Sequence, residues 1–223
     1  MFVLEEIYKS KKPENSNQFN LRIQRGLSWF KKATLLDDDL DLKLISLWIG
    51  FKAIYIQDID IHRLEEVEES TQKKQNVKPF LSKILQSDQE HKIYPLIWEK
   101  LSQPIVRTIE NPYVFQPFWD YQNQEISQTA WKDAFDIEKK QMQQVVQSKD
   151  TLALLCIIFN RLETIQSQIL NGGSTYNSAM NRKQLQDACN ILSAILPTLI
   201  YIILENPIIF DFNKPYYPVL QMS

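Results

Sequence analysis

Glycine is scarce in this chain. Four glycines occur in 223 residues, which is about a quarter of the usual share of about 7%. Phosphate-binding loops and dinucleotide-binding turns need closely spaced glycines, because their backbone takes conformations that side chains disfavour. Many-turned β sandwiches also place glycine at their turns. The composition therefore argues against a nucleotide-binding α/β enzyme and against an all-β protein.

Cysteine and histidine, which supply most zinc ligands, are almost absent. The cysteines are Cys156 and Cys189, and the histidines are His62 and His91. Their spacing fits no zinc site, and two cysteines make no disulfide framework. We therefore expect neither a metal nor a cofactor, and we interpret His62 as a surface residue.

Neither sign of charge dominates the chain. Lysine and arginine together number 25 against 27 aspartates and glutamates, and the net charge is −2. A protein that coats nucleic acid through a strongly basic surface is excluded, although a local basic patch is compatible with this total.

Long apolar runs are also missing. The most apolar stretch, residues 191–204, is interrupted by Ser193, Pro197 and Thr198. It is shorter than the about 18 residues that indicate a membrane span. The first residues are acidic early and lack the apolar core of a signal peptide. We therefore predict a cytoplasmic protein without membrane contact.

Apolar residues are abundant, at 44% of the chain, and they recur with the period of an α-helix almost throughout. The pattern predicts one all-α domain over residues 1–223. A polar segment at 58–78 is predicted to be a solvated helix or mobile loop, and a proline-rich tail from 206 to be extended. Helices are predicted at 20–36, 41–57, 79–87, 93–109, 127–147, 150–170 and 182–205, the last of them kinked at Pro197.

Four aspartates, Asp37, Asp38, Asp39 and Asp41, precede the second predicted helix. Aspartate accepts hydrogen bonds from the free N–H groups at a helix N-terminus and suits the positive end of the helix dipole. A divalent cation is the less favoured alternative, because the spacing lacks the glycine and the terminal glutamate of an EF-hand.

Two prolines and four aromatic residues are concentrated between two predicted helices, in residues 111–120. Because proline breaks helix interiors, the pattern predicts a loop without regular helix there. We favour a lid packed on the bundle over an aromatic surface that stacks nucleic-acid bases.

Several short motifs together resemble a bacterial family within the HEPN superfamily, and the most specific lie between 160 and 183. They are residues 27–29 (LSW), 47–53 (LWIGFKA), 111–119 (NPYVFQPFW), 160–162 (NRL), 172–178 (GGSTYNS), 181–184 (NRKQ) and 215–219 (PYYPV). The resemblance implies a HEPN-like helical bundle that pairs as a homodimer. Active members are typically metal-independent endoribonucleases, whose site combines an arginine, often followed by asparagine, with a histidine four to six residues later.

This chain departs from that catalytic motif at each diagnostic position. Related sequences read Arg-Asn-Gln-Leu-Val-His-Gly-Gly, whereas this one has Gln166 for the arginine, Ser167 for the asparagine and Asn171 for the histidine. An amide neither takes nor gives a proton near pH 7. We therefore predict a catalytically degenerate, dimeric RNA-binding or regulatory module. The alternatives are an active ribonuclease with an altered site and a structural scaffold.

If a cleft survives without its catalyst, it retains groups that suit a phosphate. The candidates are Arg161, Asn177, Asn181, Arg182 and Lys183, with the polar loop residues Ser174 and Thr175 beside them. Ion pairs of these arginines with Asp187 or Glu163 are the competing interpretation. The resemblance also implies a setting in phage defence or a toxin–antitoxin system, with a cognate antitoxin or defence protein as partner.

Overall fold

A computed structural model describes residues 2–55 and 77–211, and within these ranges the chain is helical with no β-strand. The predicted all-α bundle is confirmed. Its α-helices are α1 (Phe2–Lys11), α2 (Asn17–Ala33), α3 (Leu40–Ile54), α4 (Lys78–Ser87), α5 (Ile93–Pro95), α6 (Ser102–Glu110), α7 (Gln116–Gln122), α8 (Gln128–Ser148), α9 (Thr151–Leu170) and α10 (Arg182–Glu205).

Short polar side chains define where the long helices begin. The Asp39 carboxylate accepts a hydrogen bond from the backbone N–H of Leu42 at 2.9 Å, and this bond starts α3. Ser16, Ser127 and Asp150 cap α2, α8 and α9 in the same way. The interpretation of the aspartate cluster as a helix start is thus confirmed, because each cap satisfies an N–H group that has no partner within the helix.

The centre of the bundle is α10, which packs against α1, α2, α3, α4, α6 and α9. By length and composition alone, the segment Ala179–Glu205 could cross a membrane. The shorter stretch 191–204, considered in the sequence analysis, is too short to do so. Within the bundle, however, 67% of the apolar window of the longer segment is buried. Its composition is therefore accounted for by burial against the other helices.

Helices α2 and α3 approach each other through two glycines. A Cβ atom added at Gly26 would lie 2.7 Å from Cγ2 of Ile54, and one added at Gly50 would lie 3.0 Å from Cδ2 of Leu196 and 3.3 Å from the carbonyl oxygen of Gly26. Interiors are close-packed, so there is no free volume to receive a side chain at this crossing. Two of the chain's four glycines thus lie at this helix crossing.

The prediction of a loop without regular helix at residues 111–120 is wrong. Pro112 opens a short 3₁₀ helix (Pro112–Val114), and Pro117 lies in the first turn of α7. Proline lacks only its own N–H, and the N–H groups of a first turn have no helical partner in any case. The prolines therefore start helices here instead of preventing them.

Two other predicted elements change form. The predicted helix at 93–109 is divided into α5, a π-helix (Leu96–Lys100) and α6. The tail predicted to be extended from 206 instead begins with a turn at residues 207–210, because Phe210 is fully buried in the core. His62, almost all of the polar segment 58–78, the rest of the tail and the motif at 215–219 lie outside the described residues.

We predict that Gly26→Val lowers the free energy of unfolding by about 2 kcal/mol. Overpacking costs about 1–3 kcal/mol, which exceeds the about 0.5 kcal/mol that valine gains over glycine in a helix. Ser28→Val places the same side chain on the exposed face of α2 and should change stability by less than about 0.5 kcal/mol. Urea unfolding of both variants tests the crossing, and equal losses would contradict it.

Candidate functional site

The positions of the degenerate motif lie on the last turns of α9. Gln166 is 9% exposed, its Nε2 donates to Oγ of Ser167 at 2.8 Å, and its Oε1 is buried without a hydrogen-bond partner in the described chain. Asn171 is exposed and ends the helix, with its backbone N–H donating to the Ser167 carbonyl at 2.9 Å. Gly172 then takes φ 72°, which confirms the predicted glycine at the end of the helix.

Arg161, the first phosphate candidate, is directed into the protein. Its side chain is 3% exposed, pairs with the Glu138 carboxylate and donates to the Ile109 carbonyl at 3.2 Å. Its guanidinium carbon lies 4.3 Å from the centre of the Phe115 ring and 5.7 Å from that of Phe135. Arg161 therefore attaches α8 and the segment after α6 to α9, instead of facing a ligand.

Burial governs the electrostatics of this ion pair. It raises the pKa of the Glu138 carboxyl despite the nearby guanidinium, and it lowers the pKa of Arg161. Both shifts oppose charge, because desolvation penalises each ionised group. The pair is thus a structural contact whose removal leaves one buried charge without compensation.

Arg182, the second arginine candidate, organises the loop 171–181. It donates to both carboxylate oxygens of Asp41, at 2.6 and 2.9 Å, and its Nε donates to the Ser178 carbonyl at 2.7 Å. Oδ1 of Asn181 and Oδ1 of Asn177 also accept from it, at 3.1 and 3.3 Å. Three of the predicted phosphate ligands are thus brought together, but they bind one another.

The ion pairs differ from those that sequence proximity predicted. Asp187 pairs with Arg107 of α6, through bonds of 2.6 and 2.9 Å, and Arg161 uses Glu138 of α8. Lys183 is exposed and shares an outward stripe of α10 with Gln186 and Asn190, so it lies on a different side of the helix from Arg182. The structure therefore does not assemble all five candidates around one cleft.

The aspartate cluster before α3 lies beside the loop 171–181. The hydroxyl of Tyr176 donates to Asp39 at 2.8 Å, and this hydrogen bond raises the pKa of Tyr176. Asp37 pairs with Lys43 at 2.9 Å, whereas Asp38 is exposed without an ion pair among the described residues. In the described part of the chain, no group of three or more His, Cys, Asp or Glu residues is arranged to hold a metal.

Sequence reasoning missed a cavity of about 110 Å³ near the other end of α10. Its carboxylates and amides come from the turn after α4 and from the end of α10; the lining residues are Ser87, Asp88, Gln89, Glu90, Tyr201, Ile202, Glu205 and Asn206. Tyr201 donates to Glu90 at 2.6 Å, a bond that raises the pKa of Tyr201 to about 12. Only the polar tyrosine within an apolar helix signals this cavity in the sequence.

No protein-family model matches the chain, and no curated protein and no solved structure matches it significantly. Membership of the HEPN superfamily is therefore a proposal that depends on the sequence motifs alone.

A double-mutant cycle tests the structural role of the buried ion pair. We predict that Arg161→Met lowers the free energy of unfolding by about 3 kcal/mol, because it leaves Glu138 as a part-buried charge without its partner. Adding Glu138→Met should recover most of that loss, since a hydrophobic pair often replaces a buried ion pair at little cost. Lys139→Met, on the exposed side of α8, is the matched control. Additive losses in urea unfolding would contradict the coupling.

Proposed function

We propose that this protein is a catalytically degenerate HEPN-like bundle that regulates another protein by binding it. The observation that carries the proposal is the state of the motif positions. Gln166 is buried within α9, Asn171 ends that helix, and Arg161 and Arg182 are both engaged by carboxylates. The two positions that match the HEPN catalytic pair thus carry amides, and both arginines that were candidates for a phosphate are paired with carboxylates.

The proposal follows from what ribonuclease chemistry requires. Attack by a ribose 2′-hydroxyl needs a group that titrates near neutral pH and a cation that stabilises the phosphate. Neither Gln166 nor Asn171 supplies a proton, and general acid–base catalysis is worth about 10²–10⁴-fold in rate. His91, the histidine within the described residues, lies in the turn after α4, away from α9 in the sequence.

The charges around the loop favour a protein partner over RNA. Arg182 is neutralised by Asp41, and Asp38 and Asp39 add negative charge beside it. Because the Arg182 guanidinium is already paired, the unneutralised carboxylates would repel a phosphate backbone that approached this loop.

The apolar stripe of α9 is not available to the homodimer that the resemblance implies. The apolar stripe of that helix, including Leu155, Ile158 and Leu162, is fully buried within its own chain. An interface between two copies through α9 would use its part-exposed side, which includes Leu152, Cys156 and Asn160, together with its last turn and the loop 171–181.

We predict that the purified protein does not cleave RNA. Total RNA and tRNA incubated with the protein and EDTA should show the same gel pattern as RNA alone. The EDTA chelates divalent metal ions and so inactivates contaminating metal-dependent nucleases, which would otherwise obscure the result. Discrete products that increase with protein concentration would support the alternative of an active ribonuclease with an altered site.

We also predict that RNA retention in a filter-binding titration is negligible and unchanged by Arg182→Ala at low and moderate salt. The matched control is Lys183→Ala, which removes the neighbouring exposed cation. Retention that decreases steeply with salt and is lost in Arg182→Ala would instead indicate phosphate contacts. That result would favour the RNA-binding form of the degenerate module.

A further inference from the structure

We propose that the loop 171–181 and the first turn of α3 form a docking surface for a basic amphipathic helix of another protein. The docking surface consists of Leu42, Tyr176 and Met180, with the carboxylates of Asp38 and Asp39 beside them. This inference rests on the proposed function, since it names the region of the bundle that would contact the partner.

The first argument is the exposure of large apolar side chains at this end of the bundle. Met180 is 92% exposed, Tyr176 is 71% exposed and Leu42 is 50% exposed. Single exposed apolar residues are ordinary, but several on two adjoining elements, bordered by charge, are typical of interaction sites. Methionine adapts its shape to a partner, and tyrosine is enriched among the residues that dominate binding energy.

The second argument is that the loop is held in place before any partner binds. Arg182 joins it to Asp41 of α3, and Tyr176 joins it to Asp39 through a hydrogen bond of 2.8 Å. The same guanidinium bonds the Ser178 carbonyl. A loop fixed by these bonds loses less conformational entropy on association than a free loop does, so the exposed side chains can contribute fully to binding.

The third argument concerns charge and selects the partner. Asp38 and Asp39 form no ion pair in the described chain, so neither negative charge is neutralised there by a cation. Asp38 is exposed, whereas the two carboxylate oxygens of Asp39 already accept from the Leu42 N–H and the Tyr176 hydroxyl, so Asp39 contributes its charge to the surface. Lys183 belongs to the outward stripe of α10 and does not pair with them. A second copy of this chain meeting the surface about a two-fold axis would place like carboxylates together, which disfavours self-association there.

A labelled peptide tests the docking surface directly. The probe is a fluorescein-labelled amphipathic peptide of leucine and lysine with helical spacing, and its counterpart replaces lysine by glutamate. We expect fluorescence anisotropy to show saturable binding of the lysine peptide and none of the glutamate peptide. Leu42→Ser with Met180→Ser should weaken binding about tenfold, equivalent to about 1.4 kcal/mol. Asp38→Lys should weaken it in the same direction.

The matched control is Ile208→Ser. Ile208 is 92% exposed, like Met180, but it follows the opposite end of α10. Circular dichroism and urea unfolding of each variant separate loss of binding from loss of folding. Equal weakening by Ile208→Ser, or unchanged binding in the docking-surface variants, would overturn the inference.

Light scattering separates a second copy from a different partner. A dimer at micromolar concentration that Met180→Ser dissociates would show that the surface is covered by another copy, and would overturn the inference. Failure of the peptide to bind, with no RNA cleavage, would overturn the docking surface and leave the non-catalytic role intact. RNA cleavage by the wild type would overturn that role whatever the peptide does.

Discussion

Burial of α10 is the constraint on which the rest of the structure depends. A helix that is apolar on most of its surface must be enclosed, and here α1, α2, α3, α4, α6 and α9 contact it. The close crossing of α2 and α3 belongs to this enclosure, because a side chain at Gly50 would meet Leu196 of α10. The scarcity of glycine elsewhere is consistent with long helices joined by few tight turns.

The same enclosure determines the ion pairs. Arg182 and Asp187 lie on the first turns of α10, on the side that packs against other helices, where an unpaired charge is costly. Each therefore pairs with a side chain from a neighbouring helix, Asp41 of α3 and Arg107 of α6. The arginine that the motif suggested for a phosphate is, for this reason, part of the attachment between α10 and α3.

The sequence predicted the positions of the helices more accurately than the contacts between charged side chains. Apolar periodicity located the helices observed as α2, α3, α8, α9 and α10 to within a few residues, because burial of one face is a local pattern. It failed at Pro112 and Pro117, since the pattern does not distinguish a proline that ends a helix from one that begins it. It also failed for charge partners, because Arg182 and Asp41 are 141 positions apart.

The two positions that the resemblance assigns to the catalytic pair differ in their surroundings. Gln166 is 9% exposed, and a neutral amide costs less to bury than an unpaired charge does, even though its Oε1 has no hydrogen-bond partner in the described chain. Asn171 suits the end of a helix that continues into the left-handed Gly172. The groups that remain accessible at this end, Met180 and Tyr176, suit recognition of an apolar surface more than chemistry on a phosphate.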